Sequence, residues 1–289
     1  MSAPPEIVSL DPLLRLALEE DLADEGDVTS RAVLDKTARG EALIQSKESG
    51  IVSGTELLAP LFQKIDAGLS VHVLAKEGDP LEAGTEICRI SGALVSILSG
   101  ERIALNFLQR LSGIATRTAH LVSLARGTCA VILDTRKTTP GLRFLEKRAV
   151  RAGGGRNHRF GLFDMILIKD THVQACGGPG EAVEKAIKFQ RKMPNLRIEV
   201  EVQTDAEFRE ALAAGPDRIM LDNMTPEAMA ACVRFRDENA PAIELEASGN
   251  VTEKTLREIA ETGVDFISVG GLTHSARALD IHLVILPSG

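Results

Sequence analysis

The 289-residue chain has no tryptophan and no tyrosine, and its nine phenylalanines make up the whole of its aromatic content. With few faces to stack bases on and a net charge of −8 that repels phosphate backbones, a general nucleic-acid binder is disfavoured. No apolar run approaches the roughly 18 residues a membrane span needs, and 44% hydrophobic with 26% charged residues is the balance of a soluble globular protein. The four cysteines, Cys88, Cys129, Cys176 and Cys232, form no CxxC pair. Neither a disulfide framework nor a zinc site is indicated, and buried, reduced thiols are expected. The start, MSAPPEIVSLDPLL, carries an acid and prolines where a signal peptide needs a basic start and an apolar core, so a cytoplasmic location is expected. The nucleotide fingerprints of open sheets, GxGxxG after a first strand and GxxxxGK[ST], are missing as well.

Two textures are present, and they meet near residue 112. In the first, Asp11-Pro12 reads as a capping residue and first-turn proline ahead of an apolar stripe of Leu13, Leu14, Ala17 and Leu18. Strands are expected at Glu41 to Ser46 and Leu69 to Leu74, with a helix from Thr55 to Ile65 between them and a turn over residues 76–80. A long helix from Ser96 to Ala125, broken at Gly113, leads into the second texture. There six β-rich runs recur, each followed by a helical pattern or loop: Val131 to Leu133, Met165 to Ile168, Arg197 to Val202, Arg218 to Leu221, Ile243 to Glu246 and Phe266 to Val269. The expected class is α/β, with a small N-terminal α+β domain (1–112) followed by an incomplete (β/α) barrel of six to seven parallel strands (113–274). Residues 275–289 are expected to pack with the first domain.

Polar residues gather where the six runs end: Asp134-Thr135-Arg136-Lys137, Lys169-Asp170, Glu201, Asp222-Asn223, Ser248-Gly249-Asn250 and Gly270-Gly271. In α/β barrels the C-terminal rim carries the active site, so these ends converge on one mouth. Charge is segregated too. Residues 134–159 hold eight basic and two acidic side chains, net +6, which leaves −14 for the remainder. Arg143, Lys147 and Arg151, at helical spacing, read as a solvated face. Arg136, Lys137, His158 and Arg159 flank strand ends and Gly153-Gly154-Gly155, and suit a polyanion: arginine forks match carboxylates, and lysine serves phosphate as a point charge. Ser248-Gly249 and Gly270-Gly271 present backbone N–H groups at helix starts, where phosphate is stabilised, with His274 as a further donor. Glu201 and Asp222 would repel phosphate. They call for ribose hydroxyls, a Mg²⁺ carried by pyrophosphate, or a developing cation. The combination describes phosphoribosyl transfer.

At these residues the sequence resembles the quinolinate phosphoribosyltransferase family. SGERIALNFLQRLSGIAT, DTRKTTPGLRFLEKRAV, GGGRNHRFGLFDMILIKDTHV, IEVEV, IMLDN, LEASGN and SVGGLTHS run in the family's order over nearly the whole chain. One departure is Thr171 in KDTHV, where the family has asparagine, which bears on local hydrogen bonding. The resemblance implies reaction of quinolinate with phosphoribosyl pyrophosphate and Mg²⁺, giving nicotinate mononucleotide, pyrophosphate and CO₂. It implies that Arg102, Arg136, His158 and Arg159 hold the quinolinate carboxylates, with Thr135 and Lys137 beside them, and that Lys137 and Lys169 meet pyrophosphate. Glu201 and Asp222 would take the ribose hydroxyls and support a cationic ribosyl centre. Ser248, Gly249, Asn250, Val269, Gly270, Gly271 and His274 would cradle the 5′-phosphate. Arg102 would enter the neighbouring subunit's site, which makes a homodimer or higher homo-oligomer the expected active form.

Three other readings compete with this one. A homologous molybdate-transport-associated protein shares the TRKTTPG region, but the intact NHR and KDTHV segments oppose it. A barrel aldolase would form a Schiff base through Lys169 or Lys137. A non-catalytic phosphate-binding module would have no use for two acids at the mouth.

Overall fold

The computed structural model describes residues 9–287. Residues 1–8, the start of the stretch read for a leader, lie outside them. In chain order, α1 (Asp11–Leu22) and α2 (Val28–Val33) precede β1 (Arg39–Ser46) and the short β2 (Gly50–Ile51). A 3-10 turn (Thr55–Leu57) runs into α3 (Leu58–Ile65), followed by β3 (Ser70–Val73), β4 (Pro80–Leu81), β5 (Glu86–Ala93) and the 31-residue α4 (Leu94–Leu124). Then come β6 (Val131–Leu133), α5 (Arg143–Ala152), β7 (Ile166–Ile168), α6 (Asp170–Cys176) and α7 (Pro179–Gln190). The alternation continues with β8 (Ile198–Val202), α8 (Asp205–Ala214), β9 (Arg218–Asp222), α9 (Pro226–Asn239), β10 (Glu244–Ser248), α10 (Glu253–Glu261), β11 (Phe266–Ser268) and α11 (Gly271–His274), and β12 (Ile281–Ile285) ends it.

The described chain forms two compact units. One holds residues 9–119, 139–154 and 275–287, and the other residues 120–138 and 155–274. In the first unit an antiparallel sheet runs β12-β1-β5-β3, with Ile44 opposite Leu283 of the terminal strand. Alternation along β5 buries Cys88 and Ile90, Ile87 beside them is buried as well, and α3 contributes Leu58, Leu61 and Phe62 to the core.

Four sequence expectations are corrected here. Asp11 does not cap α1: Leu10 holds the cap position without a side-chain bond, because the Asp11 carboxylate is taken by Arg15 at 2.6 Å and by Lys64. Helix α4 is not broken at Gly113. A Cβ there would lie 2.0 Å from the Arg277 carbonyl oxygen, so this glycine admits a crossing backbone rather than ending a helix. Lys147 is not on a solvated face: α5 packs on several sides and buries Leu145, Glu146, Lys147, Ala149 and Val150. Of the cysteines, Cys88 and Cys232 are buried but Cys129 is exposed, and all four are free.

In the second unit a six-stranded parallel sheet runs β6-β11-β10-β9-β8-β7. Beyond β6, Arg156 makes a parallel bridge to Leu133, a rudimentary seventh contact. Short βα loops end in threonine caps: Thr204 accepts from the Glu207 amide at 3.2 Å, Thr225 from Ala228 at 3.3 Å and Thr252 from Thr255 at 3.3 Å. Each cap satisfies an orphan amide, a contribution of about 1 kcal/mol, and closes a loop of two to four residues between strand and helix. All five residues of β8 are buried. Two-residue alternation puts Ile198, Val200 and Val202 on one face and Glu199 and Glu201 on the other.

Candidate active site

The C-terminal ends of all six parallel strands line one cavity of about 740 Å³, the size of a small-molecule site. Its wall includes Thr135, Arg136 and Lys137 after β6, His158 and Arg159, and Lys169 after β7. Glu201, Asp222, Ser248-Gly249-Asn250, Val269-Gly270-Gly271 and His274 complete the set read from sequence. Arg102 is the exception: it is exposed on α4 and is not part of this wall.

Local structure explains the placement. Asp134, fully buried at the end of β6, accepts from the His158 amide at 2.8 Å and from Asn157 Nδ2 at 2.6 Å, and so holds the NHR segment beside the TRK segment. The Lys137 carbonyl accepts from Thr273 Oγ1 at 2.6 Å, which fixes the TRK segment to α11. Gly270 permits that approach, since a Cβ there would stand 3.0 Å from Lys137 Cδ and 3.2 Å from His274 Nε2. Burial lowers the pKa of the Arg159 guanidinium, and the neighbouring positive charge of Arg136 lowers it further. Two like charges held together in a half-buried wall form a site that an anion would relieve. Lys169 reaches across to Glu201, with Nζ 2.9 Å from Oε2. Asp222 accepts from Asn223 Nδ2 at 2.7 Å.

The sequence reading missed a layer of charge beneath this wall. His158 Nε2 lies 3.0 Å from Glu199 and 3.5 Å from Glu246, both fully buried. Arg218, buried on β9, places its guanidinium 2.8 Å from Glu246 and 2.9 Å from Glu244, and stacks 3.9 Å from the centre of the Phe266 ring. Burial opposes charge on His158, but Glu246 and Glu199 outweigh it and raise its pKa. Burial pushes Glu246 up to about 7, with repulsion from Glu199 adding to it. Glu199 also meets the burial penalty, yet His158 and Arg218 hold it below the usual value. His158 Nδ1 accepts from the Arg159 amide at 2.7 Å, which requires the ring's Nε2–H form; a second proton would cost that contact. His158, Glu199 and Glu246 can bring one ligand atom each within 4.8 Å of one another, but the Arg218 guanidinium already supplies the cation that such a cluster would seek. A signal was there to read: IEVEV and ELEAS carry glutamates at alternate positions, and RIMLD carries a charge at each end of an otherwise apolar strand. Leu167, Met220, Asn223, Val251, Thr252 and Ser268 complete the wall.

A six-stranded parallel sheet with cations and two acids at its strand ends is the arrangement a phosphoribosyltransferase needs. Family models for the N-terminal and C-terminal domains of quinolinate phosphoribosyl transferase match residues 27–112 and 114–284, and the chain belongs to that family. It is 44% identical over 276 residues, 96% of this chain and 93% of the relative, to the probable nicotinate-nucleotide pyrophosphorylase [carboxylating] of Bacillus subtilis. It is likewise 44% identical to the chloroplastic nicotinate-nucleotide pyrophosphorylase [carboxylating] of Arabidopsis thaliana, over 96% of this chain and 82% of the relative. Among solved structures, the nicotinate-nucleotide pyrophosphorylase from Francisella tularensis superposes with a TM-score of 0.90 at 36% identity, over 99% of this chain and 100% of that one.

Proposed function

We propose that this chain transfers the phosphoribosyl group of phosphoribosyl pyrophosphate to quinolinate with decarboxylation, a step of NAD biosynthesis. The observation that carries the reading is the cavity itself, where Arg136, Lys137, Arg159 and Lys169 share a wall with Glu201 and Asp222. Arg136 and Arg159 take the two quinolinate carboxylates, with Thr135 and Lys137 beside them. Protonating His158 at Nδ1 turns an acceptor into a donor, so His158 joins the carboxylate site in its charged form. Ser248-Gly249-Asn250 and Val269-Gly270-Gly271, with His274, take the 5′-phosphate.

Pyrophosphate draws Lys169 from Glu201, together with Lys137, and this frees a carboxylate as the C1′–O bond breaks. The bonding pair leaves with pyrophosphate, and Glu201 and Asp222 stabilise the positive charge left on the ribosyl centre. The pyridine nitrogen then bonds to C1′. Once quaternary, it stabilises the electron pair left on the ring carbon when CO₂ departs, and a proton replaces the carboxylate there. Asp222 at the rim offers a hard oxygen donor that fits Mg²⁺, and Mg²⁺ entering with phosphoribosyl pyrophosphate would offset charge on the leaving group.

The proposed active unit is a homodimer or higher homo-oligomer in which Arg102 reaches the neighbouring site. An exposed apolar patch of Leu162, Phe163, Phe189 and Met193 gives the second unit a surface that association would cover. Four free cysteines fit a reducing compartment, and the cytoplasm is the proposed location.

Steady-state kinetics of Arg159→Lys tests the carboxylate assignment. Losing the fork should raise KM for quinolinate by about tenfold and leave KM for phosphoribosyl pyrophosphate within about twofold. Equal increases in both would remove Arg159 from the quinolinate subsite.

A further inference from the structure

Asp222 Oδ2 accepts from two amide side chains that no catalytic role explains, Gln203 Nε2 at 3.5 Å and, more closely, Asn223. Asn223 donates from Nδ2 to Asp222 Oδ2 at 2.7 Å and accepts at Oδ1 from Asn250 Nδ2 at 3.0 Å. The direction of this chain is forced: an ionised aspartate only accepts, so Asn223 must turn its amide nitrogen to Asp222 and its oxygen to a donor, which Asn250 provides. The backbone repeats the link, with the Asn223 amide donating to the Ser248 carbonyl at 2.9 Å. Gly249 leaves the room, because a Cβ there would sit 2.2 Å from Asn223 Oδ1. Among the described residues only Ala23, Asn223 and Asn250 have positive φ without being glycine, and two of those three make up this chain, at φ 55° and 51°. Asparagine tolerates that conformation better than most side chains, so the strand ends of β9 and β10 are shaped to bring these two amides together.

We infer that Asn223 is a positioning residue that fixes the Asp222 carboxylate and ties it to the phosphate-binding turn of Ser248-Gly249-Asn250. The inference rests on the roles proposed above for Asp222 and that turn. A phosphate that orders the turn thereby orders Asn250, then Asn223, then the carboxylate facing the ribosyl centre. Asp222 is held in the orientation it needs when positive charge develops, and orienting it costs nothing further at that moment.

Two variants keep the left-handed backbone while breaking the chain. Asn223→Gly removes the side chain at a φ glycine readily adopts, and Asn223→Asp retains the acceptor but sets a second carboxylate against Asp222. Both should lower kcat by about tenfold, leave KM for quinolinate within about twofold, and melt close to the parent, with Asn223→Asp losing at least as much as Asn223→Gly. The decisive comparison is made in an Asp222→Asn background, where Asn223→Gly should cost less than about twofold in kcat, because its effect runs through the carboxylate already removed. A second tenfold loss in that background, or a parental kcat for Asn223→Gly, would overturn the role. Inactivity of the parent protein with quinolinate would overturn the reaction itself, whereas an active parent with independent losses overturns Asn223 alone.

Discussion

Glu246 sits at the centre of a buried set of charges, between Glu199, His158 and Arg218, and its proton decides how that set balances. Its carboxyl is pushed up to about 7 from 4.5, so the native state binds a proton that the unfolded chain has released. That stability is complete below about pH 4.5 and is lost as pH rises through about 7. His158, raised above 6.5, acts in the same direction, contributing fully below 6.5 and losing its contribution as pH rises through its native value. Glu199, lowered below 4.5, acts oppositely, with its contribution present above 4.5 and lost as pH falls through its native value. Urea midpoints should therefore fall from pH 5 to pH 8, and Glu246→Gln, a neutral isostere, should flatten that slope. An unchanged slope in the variant would place the titration elsewhere. For the reaction, Glu201→Ala or Asp222→Ala should lower kcat far more than it raises KM for quinolinate; an effect on KM alone would count against a role in the transition state. Most rim residues were legible because they follow strand-like runs, and His158 and Arg159 because they lie in the basic segment beside the glycine run. The charges beneath were not, because a glutamate inside an apolar strand looks like a solvent-facing alternation until packing buries both faces of the strand, as in β8.

The six parallel strands could be read from their β-branched runs and short loops, and each is found within one or two residues of its expected end. Strand β5 and strand β12 were not read as strands. The first, EICRISGA, mixes charge, serine and glycine with its apolar residues, and the second takes its register from β1, far away in sequence. Pairing of this kind is set by packing that no local window contains. Gly113 failed as a helix breaker for a related reason: its meaning lies in the Arg277 backbone crossing it, and helix propensity is a weak prior against such a contact. Gly113→Ala, favourable in an isolated helix, should destabilise the protein by about 1–3 kcal/mol through overpacking, seen as a lower urea midpoint. A raised midpoint would show that the crossing segment yields freely and that the glycine is not there for packing.

Arg102 is the one expected site residue that the cavity wall lacks, and the proposed homo-oligomer would give it a place in a neighbouring subunit's site. Mixing Arg102→Ala with Lys137→Ala under exchange conditions distributes intact sites statistically. If Arg102 acts in trans, one site in each hybrid dimer is whole, and about a quarter of parental activity should return. No recovery from two separately inactive, folded variants would confine Arg102 to its own chain. The segregated charge also belongs to the whole molecule. A basic segment within an acidic protein focuses positive potential where two polyanionic substrates must meet, so raising the salt concentration should weaken their capture. The measurement that bears most directly on the reaction is incubation with carboxyl-labelled quinolinate, phosphoribosyl pyrophosphate and Mg²⁺, with nicotinate in place of quinolinate as the control. Nicotinate mononucleotide, pyrophosphate and CO₂ should appear in equal amounts from quinolinate, with no comparable turnover of nicotinate. Folded protein that yields no mononucleotide from quinolinate, or that uses nicotinate equally well, would contradict the assignment.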